Sequence, residues 1–400
     1  MNALEILKDV HWVGAVDWDR RNFHGYSLSP MGTTYNAYLI KDQKITLVDT
    51  VAADFAEELL DNIAQVVDPG QVDYLVVNHV EPDHAGALPR LVEAVKPEKI
   101  FCSPMGLKAI KEYFDPAGWP LEVVGNDSTV CIGRRNLRFL ETRMLHWPDS
   151  MMTYVPEDKL LISQDAFGQN MASSQRFADQ VDQAQLMRQA ARYYANIVLP
   201  YSTVTLKILG EVQKLGWAVD MIAPDHGLIW RGNGVGEIIE AYVRYAKQAP
   251  TNKAVVTFDT MWHSTERMAE GLAEGLAESG VAVRVMSLKA NHHSDVMSEI
   301  FEAGAVLVGS PTHNNGVLPL VAAMLNYMKG LKPQNKIGAA FGSYGWSGES
   351  MKHIAEHLAG MGFAMVEGLR VKNAPKAEHI AACRDLGRKV AEALTATLAK

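Results

Sequence analysis

Cysteine is scarce in this chain of 400 residues: Cys102, Cys131 and Cys383 are all it has, and no two lie close together. Disulfide frameworks, zinc ribbons and a built-in rubredoxin-type iron site all need closely spaced pairs, so all three are excluded. Excess positive charge is missing too. Lys plus Arg number 38 against 46 Asp plus Glu, a formal net charge of −8. That is the wrong sign for a nucleic-acid partner, whose phosphates demand a cationic footprint. No apolar run approaches the roughly 20 residues that span a bilayer, and Met1 to Val10 carry no basic-then-apolar leader. The expectation is a cytoplasmic protein of a reducing compartment, with no membrane or nucleic-acid partner. Hydrophobic residues at 48% and charged ones at 21% suit a chain with a sizeable core. Its length suits two or three domains.

The patterning changes near residue 249. Before it, strand-length apolar runs at Ile45–Asp49, Tyr74–Asn78, Leu137–Glu141 and Leu160–Ser163 are separated by turn residues. Helical spacing appears over Ala53–Val66, Gln183–Val198 and Thr203–Leu215. Together these predict a mixed sheet sandwiched between helices. The polar segment Lys247–Lys253 around Pro250 breaks helix and marks a linker, giving domains 1–249 and 250–400. Beyond it, strands at Ala254–Phe258, Ala282–Ser287, Ala305–Gly309, Lys336–Phe341 and Ala364–Glu367 alternate with five helical segments. Such alternation predicts an α/β fold with a parallel, doubly wound sheet.

The densest chemistry is His79-Val80-Glu81-Pro82-Asp83-His84, directly after the strand Tyr74–Asn78. In an extended segment His79, Glu81 and Asp83 point the same way and can converge. A polar turn in which Asp83 caps a helix is the bland alternative, and it leaves four metal-capable side chains in six positions unexplained. His146, Asp165 and His226 each follow an apolar run. Singly they read as loop residues; together they supply what two metals would need.

In the second half, Thr260-Met261-Trp262-His263-Ser264-Thr265 links the first strand to its helix. Hydroxyls and backbone N–H groups at a helix N-terminus bind an anion without a basic side chain, although such a turn alone is more often a simple cap. Two further loops follow strands: Ser310-Pro311-Thr312-His313-Asn314-Asn315-Gly316 and Ser343-Tyr344-Gly345-Trp346-Ser347-Gly348. In a doubly wound sheet these loops meet at the topological switch point. Trp262, Tyr344 and Trp346 could then cover a flat ring.

The strand-end cluster with its distant His146, Asp165 and His226 resembles the metallo-β-lactamase fold, with Glu81 standing where hydrolases of that fold usually carry His. Mixed imidazole and carboxylate donors suit iron better than an all-imidazole set. With three loops resembling the FMN site of flavodoxin, the chain is similar to the flavodiiron proteins, or A-type flavoproteins. That resemblance implies a metallo-β-lactamase-like αββα domain followed by a flavodoxin-like domain. It implies one iron on His79, Glu81 and His146, a second on Asp83, His84 and His226, and Asp165 bridging. It further implies FMN, a separate rubredoxin as electron donor, and reduction of O2 to water or NO to N2O. A head-to-tail homodimer is implied as well, and a gas pocket lined by His24, Tyr26 and Trp147. A zinc hydrolase with a regulatory flavodoxin domain is opposed by Glu81. A pure electron carrier is opposed by the full set of seven ligands.

Overall fold

A computed structural model describes residues 1–126 and 128–399. The chain divides into two compact units: Met1–Phe23, Ser29–Tyr193 and Tyr201–Ala246 form the first; His24–Leu28, Tyr194–Pro200 and Lys247–Lys400 form the second.

The first unit is built on two sheets. One runs in sequence order through β1 (Leu4–Leu7), β2 (Val10–Trp12), β3 (Tyr38–Ile40), β4 (Thr46–Val48), β5 (Tyr74–Val77), β6 (Lys99–Cys102) and β7 (Leu121–Val123). It is antiparallel up to β4 and parallel beyond. The other holds β8 (Thr129–Cys131), β9 (Asn136–Glu141), β10 (Met151–Val155), β11 (Leu160–Gln164), β12 (Met221–Pro224) and β13 (Trp230–Arg231), also in order. Strand alternation sends Val76, Phe101, Phe139, Met151, Leu160 and Ile162 into one shared core between the sheets. Helices α1 (Ala56–Ala64), α2 (Leu88–Val95) and α3 (Pro104–Tyr113) follow strands of the first sheet; α4 (Gln183–Tyr193), α5 (Ser202–Lys214) and α6 (Asn233–Lys247) follow the second.

The periodicity predicts one mixed sheet, and the structure has two. The strands of both are apolar toward the same core, so a one-dimensional pattern cannot tell neighbours in a sheet from partners across a sandwich. The run Gln183–Val198 also divides, being α-helical to Tyr193 and a π-helix over Tyr194–Val198.

The second unit contains a parallel sheet ordered β15 (Ala282–Ser287), β14 (Thr251–Phe258), β16 (Ala303–Gly309), β17 (Ile337–Tyr344) and β18 (Ala364–Met365). The fifth position is a broken strand. β18 pairs the start of β17, and β19 (Leu369–Lys372) pairs its end. Helices α7 (Ser264–Glu278), α8 (His293–Glu302), α9 (Pro319–Leu331), α10 (Ser350–Gly360) and α11 (Ala377–Leu398) complete the doubly wound pattern. Its chain reversal lies between β14 and β16, so loops at their carboxyl ends enclose the switch point. Among the described residues, no helix is long and apolar enough to cross a membrane.

Candidate metal centre and flavin cleft

Four loops of the first unit leave the sandwich at one edge: those after β5, before β10, after β11 and after β12. The two sheets are tied there by a hydrogen bond from the Met151 N–H to the Asn78 carbonyl, 2.9 Å. His79 and Glu81 continue outward from β5. At Pro82 the chain turns into a helical segment, Pro82–Ala85, with proline in its first turn. Asp83 is therefore helical, and convergence of His79, Glu81 and Asp83 by extended alternation is corrected: the bend splits the motif between two clusters. His79, Glu81, His146 and Asp165 form one, and Asp83, His84 and His226 the other.

In the first cluster His79 Nε2 lies 3.2 Å from Glu81 Oε2 and 3.3 Å from Asp165 Oδ2. His146 Nε2 lies 3.3 Å and 3.1 Å from the same two oxygens. In the second, His226 Nε2 is 3.2 Å from Asp83 Oδ2, and His84 Nε2 is 3.5 Å from Asp83 Oδ1. Asp165 spans both, its other oxygen Oδ1 lying 3.1 Å from His84 Nε2 and 3.4 Å from His226 Nε2. All seven sequence-predicted metal residues thus come together, with Asp165 between the clusters.

This arrangement fits a pair of cations. Both Asp83 oxygens, Asp165 Oδ2 and His226 Nε2 are buried without a hydrogen-bond partner in the protein, a cost that buried polar groups bear only when something else satisfies them. Donors about 3.1–3.3 Å apart are spaced as neighbours around one ion with bonds of about 2.0–2.2 Å. Charge points the same way. Burial alone would push His146 down, but the Asp165 and Glu81 carboxylates facing its Nε2 outweigh it and hold the imidazole at about 9. His79 is likewise raised against burial by Asp149 and Glu81. Burial would raise Asp165, yet His84 and His146 hold it well below the usual carboxylate range. Without a cation the carboxylates gather protons onto the histidines; a metal would displace them.

The sequence reasoning missed the groups that aim these rings. Asp149 Oδ2 accepts from His79 Nδ1 at 2.9 Å and from the Val80 N–H at 2.7 Å. Asp225 Oδ2 lies 3.3 Å from His84 Nδ1. The Thr34 carbonyl accepts from His226 Nδ1 at 2.7 Å, and the Tyr193 hydroxyl donates to Asp165 Oδ1 at 2.7 Å. The hydrogen-bonded Nδ1 atoms of His79 and His226 leave Nε2 facing the clusters, while Asp225 meets His84 as an ion pair without a hydrogen bond. Asp149 and Asp225 were visible as acids within three residues of His146 and beside His226; Thr34 and Tyr193 had no local signal. Trp147 meets His79 edge-on at 5.3 Å. In the second unit, Tyr26 stacks on His24 at 5.7 Å.

At the carboxyl ends of β14, β16 and β17 lies a cleft of about 330 Å³, lined by Thr260, Met261, Trp262, Ser264, Pro311, Thr312, Ser343, Tyr344 and Gly345. Asn373 and Ala374, just after β19, line it too, and the sequence reading missed them because it ended the last strand too early. His263 takes a left-handed conformation at φ 62° and opens α7. Thr265 follows at the helix start, its hydroxyl buried without a partner, as suits an anion-binding turn. The remaining predicted residues stand apart from the cleft wall. Ser310 is buried and its Oγ accepts from the Leu318 N–H at 2.9 Å. His313, Asn314, Asn315 and Gly316 form a tight turn closed by the His313–Gly316 bridge. Trp346 is 88% exposed, between Gly345 and the Ser347–Gly348 turn.

Comparison with known proteins agrees with this architecture. The family described as ODP family beta lactamase matches residues 33–227, and Flavodoxin matches residues 256–387. The chain is 54% identical to the rubredoxin-oxygen oxidoreductase of Megalodesulfovibrio gigas over the whole of both chains. It is 47% identical to the nitric oxide reductase of Moorella thermoacetica, covering 96% of this chain and 97% of that one. The crystal structure of the flavodiiron protein from Giardia intestinalis, 33% identical, superposes with a TM-score of 0.97 over 100% of this chain and 98% of that one. With this architecture, and with full-length relatives at this identity, the chain belongs to the flavodiiron protein family.

Proposed function

We propose that the protein is an oxidoreductase that takes electrons from rubredoxin through FMN to a di-iron site and there reduces O2 to water, and NO to N2O. The observation that carries this reading is the pair of adjacent buried clusters sharing Asp165, with Glu81 adding a carboxylate to the donor set. His79, Glu81 and His146 would hold one iron and Asp83, His84 and His226 the other, with Asp165 placed to reach both. The cleft of residues 250–400 would hold FMN, and residues 1–249 would hold the irons. The names of the relatives support rubredoxin as donor and both gases as substrates. A cytoplasmic head-to-tail homodimer completes the proposal.

When bound, iron and FMN supply the redox chemistry, the flavin accepting electrons and the metal pair activating the gas. The chain's own residues position and insulate. Asp149, Asp225 and Thr34 fix the rings of His79, His84 and His226. Tyr193 holds one oxygen of Asp165 in place. Burial of His79, His84, Asp165 and His226 keeps bulk water from the clusters. At the cleft, backbone N–H groups of the Thr260–Thr265 turn would hold the phosphate of FMN, and Tyr344 and Trp262 line the space that would receive its ring. A zinc hydrolase finds no support in the full-length relatives, which are named as oxidoreductases.

The test is metal and flavin content followed by anaerobic single turnover. Two irons and one FMN per chain, with flavin reoxidation by O2 or NO much faster than that of free reduced FMN, are expected. Zinc in place of iron, or reoxidation no faster than the free flavin, overturns the reading.

A further inference from the structure

Strands β10, β11 and β12 send alternate side chains to opposite faces. Met151, Leu160, Ile162 and Met221 enter the core between the sheets, so Met152, Leu161 and Ile222 point the other way, toward α5 and α6. From α5 a single helical stripe, Thr205, Ile208, Leu209 and Val212, faces them; from α6 come Ile239 and Tyr242. Between these layers is a cavity of about 30 Å³.

A water molecule needs about 10–15 Å³ and two to four polar partners. The cavity has the room and lacks the partners. Its two polar side chains are engaged elsewhere: the Thr205 hydroxyl donates to the Tyr201 carbonyl at 3.2 Å, and the Tyr242 oxygen accepts the Phe167 N–H at 2.6 Å. Every other lining side chain is apolar. A cavity of this kind stays dry and takes up small apolar molecules.

Its inner wall is made by the segments that carry metal-cluster residues. Leu145 lines the cavity and is followed directly by His146. The Leu145 carbonyl accepts from Gln164 Nε2 at 2.6 Å, and Gln164 precedes Asp165. Phe167, two residues after Asp165, lines the cavity as well. The opposite rim, at Leu209, Val212, Val219 and Ile239, is only half-buried.

We propose that this cavity is a holding site for the diatomic gas substrate, filled from the α5–α6 rim and emptied past Leu145 and Phe167 toward the metal clusters. The inference rests on the gas-reductase reading above. O2 and NO are apolar enough to leave water for a dry hydrocarbon space, whereas ions and water are refused by it. The volume admits a molecule of two heavy atoms and excludes larger organic substrates.

The experiment is xenon pressurisation of crystals of the holoenzyme, paired with gas kinetics of two variants at one position. Xenon density is expected in the native cavity. Ile208→Phe fills the space, abolishes the xenon site and raises the KM for O2 several-fold, with kcat, iron and FMN content unchanged. Ile208→Ala enlarges it, keeps xenon and leaves KM equal or lower. Absence of xenon in an enzyme that turns over O2 or NO overturns the cavity proposal alone, as does an unchanged KM in Ile208→Phe with the xenon site lost. Xenon bound in an enzyme that turns over neither gas overturns it through the functional reading.

Discussion

Removing the Asp149 carboxylate should weaken one metal site before it weakens the fold. Asp149 is held in turn, its carbonyl accepting from the Ser103 hydroxyl at 2.8 Å. Its Oδ2 receives two donors, the Val80 N–H at 2.7 Å and His79 Nδ1 at 2.9 Å, and hydrogen bonds to an ionised acceptor are roughly twice as strong as neutral ones. Asp149→Asn keeps an oxygen that can accept from both and loses only the charge. Iron affinity at the His79 cluster should fall about tenfold, or about 1.4 kcal/mol, the lower end of what such outer ligand partners are worth. Asp149→Ala strips both bonds. His79 is then free to turn, and the Val80 N–H is buried without an acceptor, so affinity falls about 100-fold and stability by about 1–3 kcal/mol.

The second cluster has its own anchors, Asp225 on His84 and Thr34 on His226, and should keep its iron. Competition with chelators of graded strength, with the two irons counted separately by Mössbauer spectroscopy, reads both effects. Equal loss from the two sites, or no loss in Asp149→Ala, refutes the reasoning.

Replacing the carboxylate that sets this chain apart from the hydrolases, Glu81→His, leaves three imidazoles and Asp165 on the first cluster. Protein made with both metals available should shift from iron toward zinc and lose gas reduction; unchanged iron content in elemental analysis sinks the donor-set argument. Lys336 gives a pH signature. Burial pushes its amine down from 10.5 to about 7, with Nζ donating to the Phe301 carbonyl at 2.9 Å. Below pH 7 both folded and unfolded chains carry the proton. Between pH 7 and 10.5 only the unfolded chain does, so native stability rises with pH across that window, by up to about 5 kcal/mol. Urea melts of Lys336→Met should lack this rise, and parallel pH profiles of the two proteins would contradict it. Finally, a Cβ at Gly342 would strike the Ser310 carbonyl. Gly342→Ala should cost about 1–3 kcal/mol of stability and weaken FMN binding by displacing the loop that carries Pro311 and Thr312; a flavin titration with unchanged affinity would show that the loop absorbs the clash.

The second unit was the more legible of the two because every crossover in a parallel sheet writes itself as strand, helix, strand. The error in its sheet was local: β18 is two residues long and β19 was missed, since Gly368 and the short runs around it give no strand period. The first unit hid its second sheet, because inward residues such as Phe101 and Phe139 belong to different sheets yet read identically as apolar. Candidate ligands were legible as residue types out of place at strand ends. Their outer partners were not, because the Thr34 carbonyl acts through backbone that any residue could supply, and Tyr193 lies inside an ordinary amphipathic helix.

The bend at Pro82 shows what separated the residues that sequence could name from the geometry that it could not. Left extended, His79, Glu81 and Asp83 would share one face and Val80 and His84 the other, crowding three donors onto one ion and leaving His226 nearly alone. Proline fixes φ near the helical value and needs no hydrogen-bond acceptor in the first turn. The turn Pro82–Ala85 starts there, with the His84 and Ala85 N–H groups both donating to the Glu81 carbonyl at 2.9 Å. One change of backbone region thus gives His79 and Glu81 to the first cluster and Asp83 and His84 to the second. Six consecutive residues serve two metal positions because the extended backbone through Glu81 turns helical at Pro82.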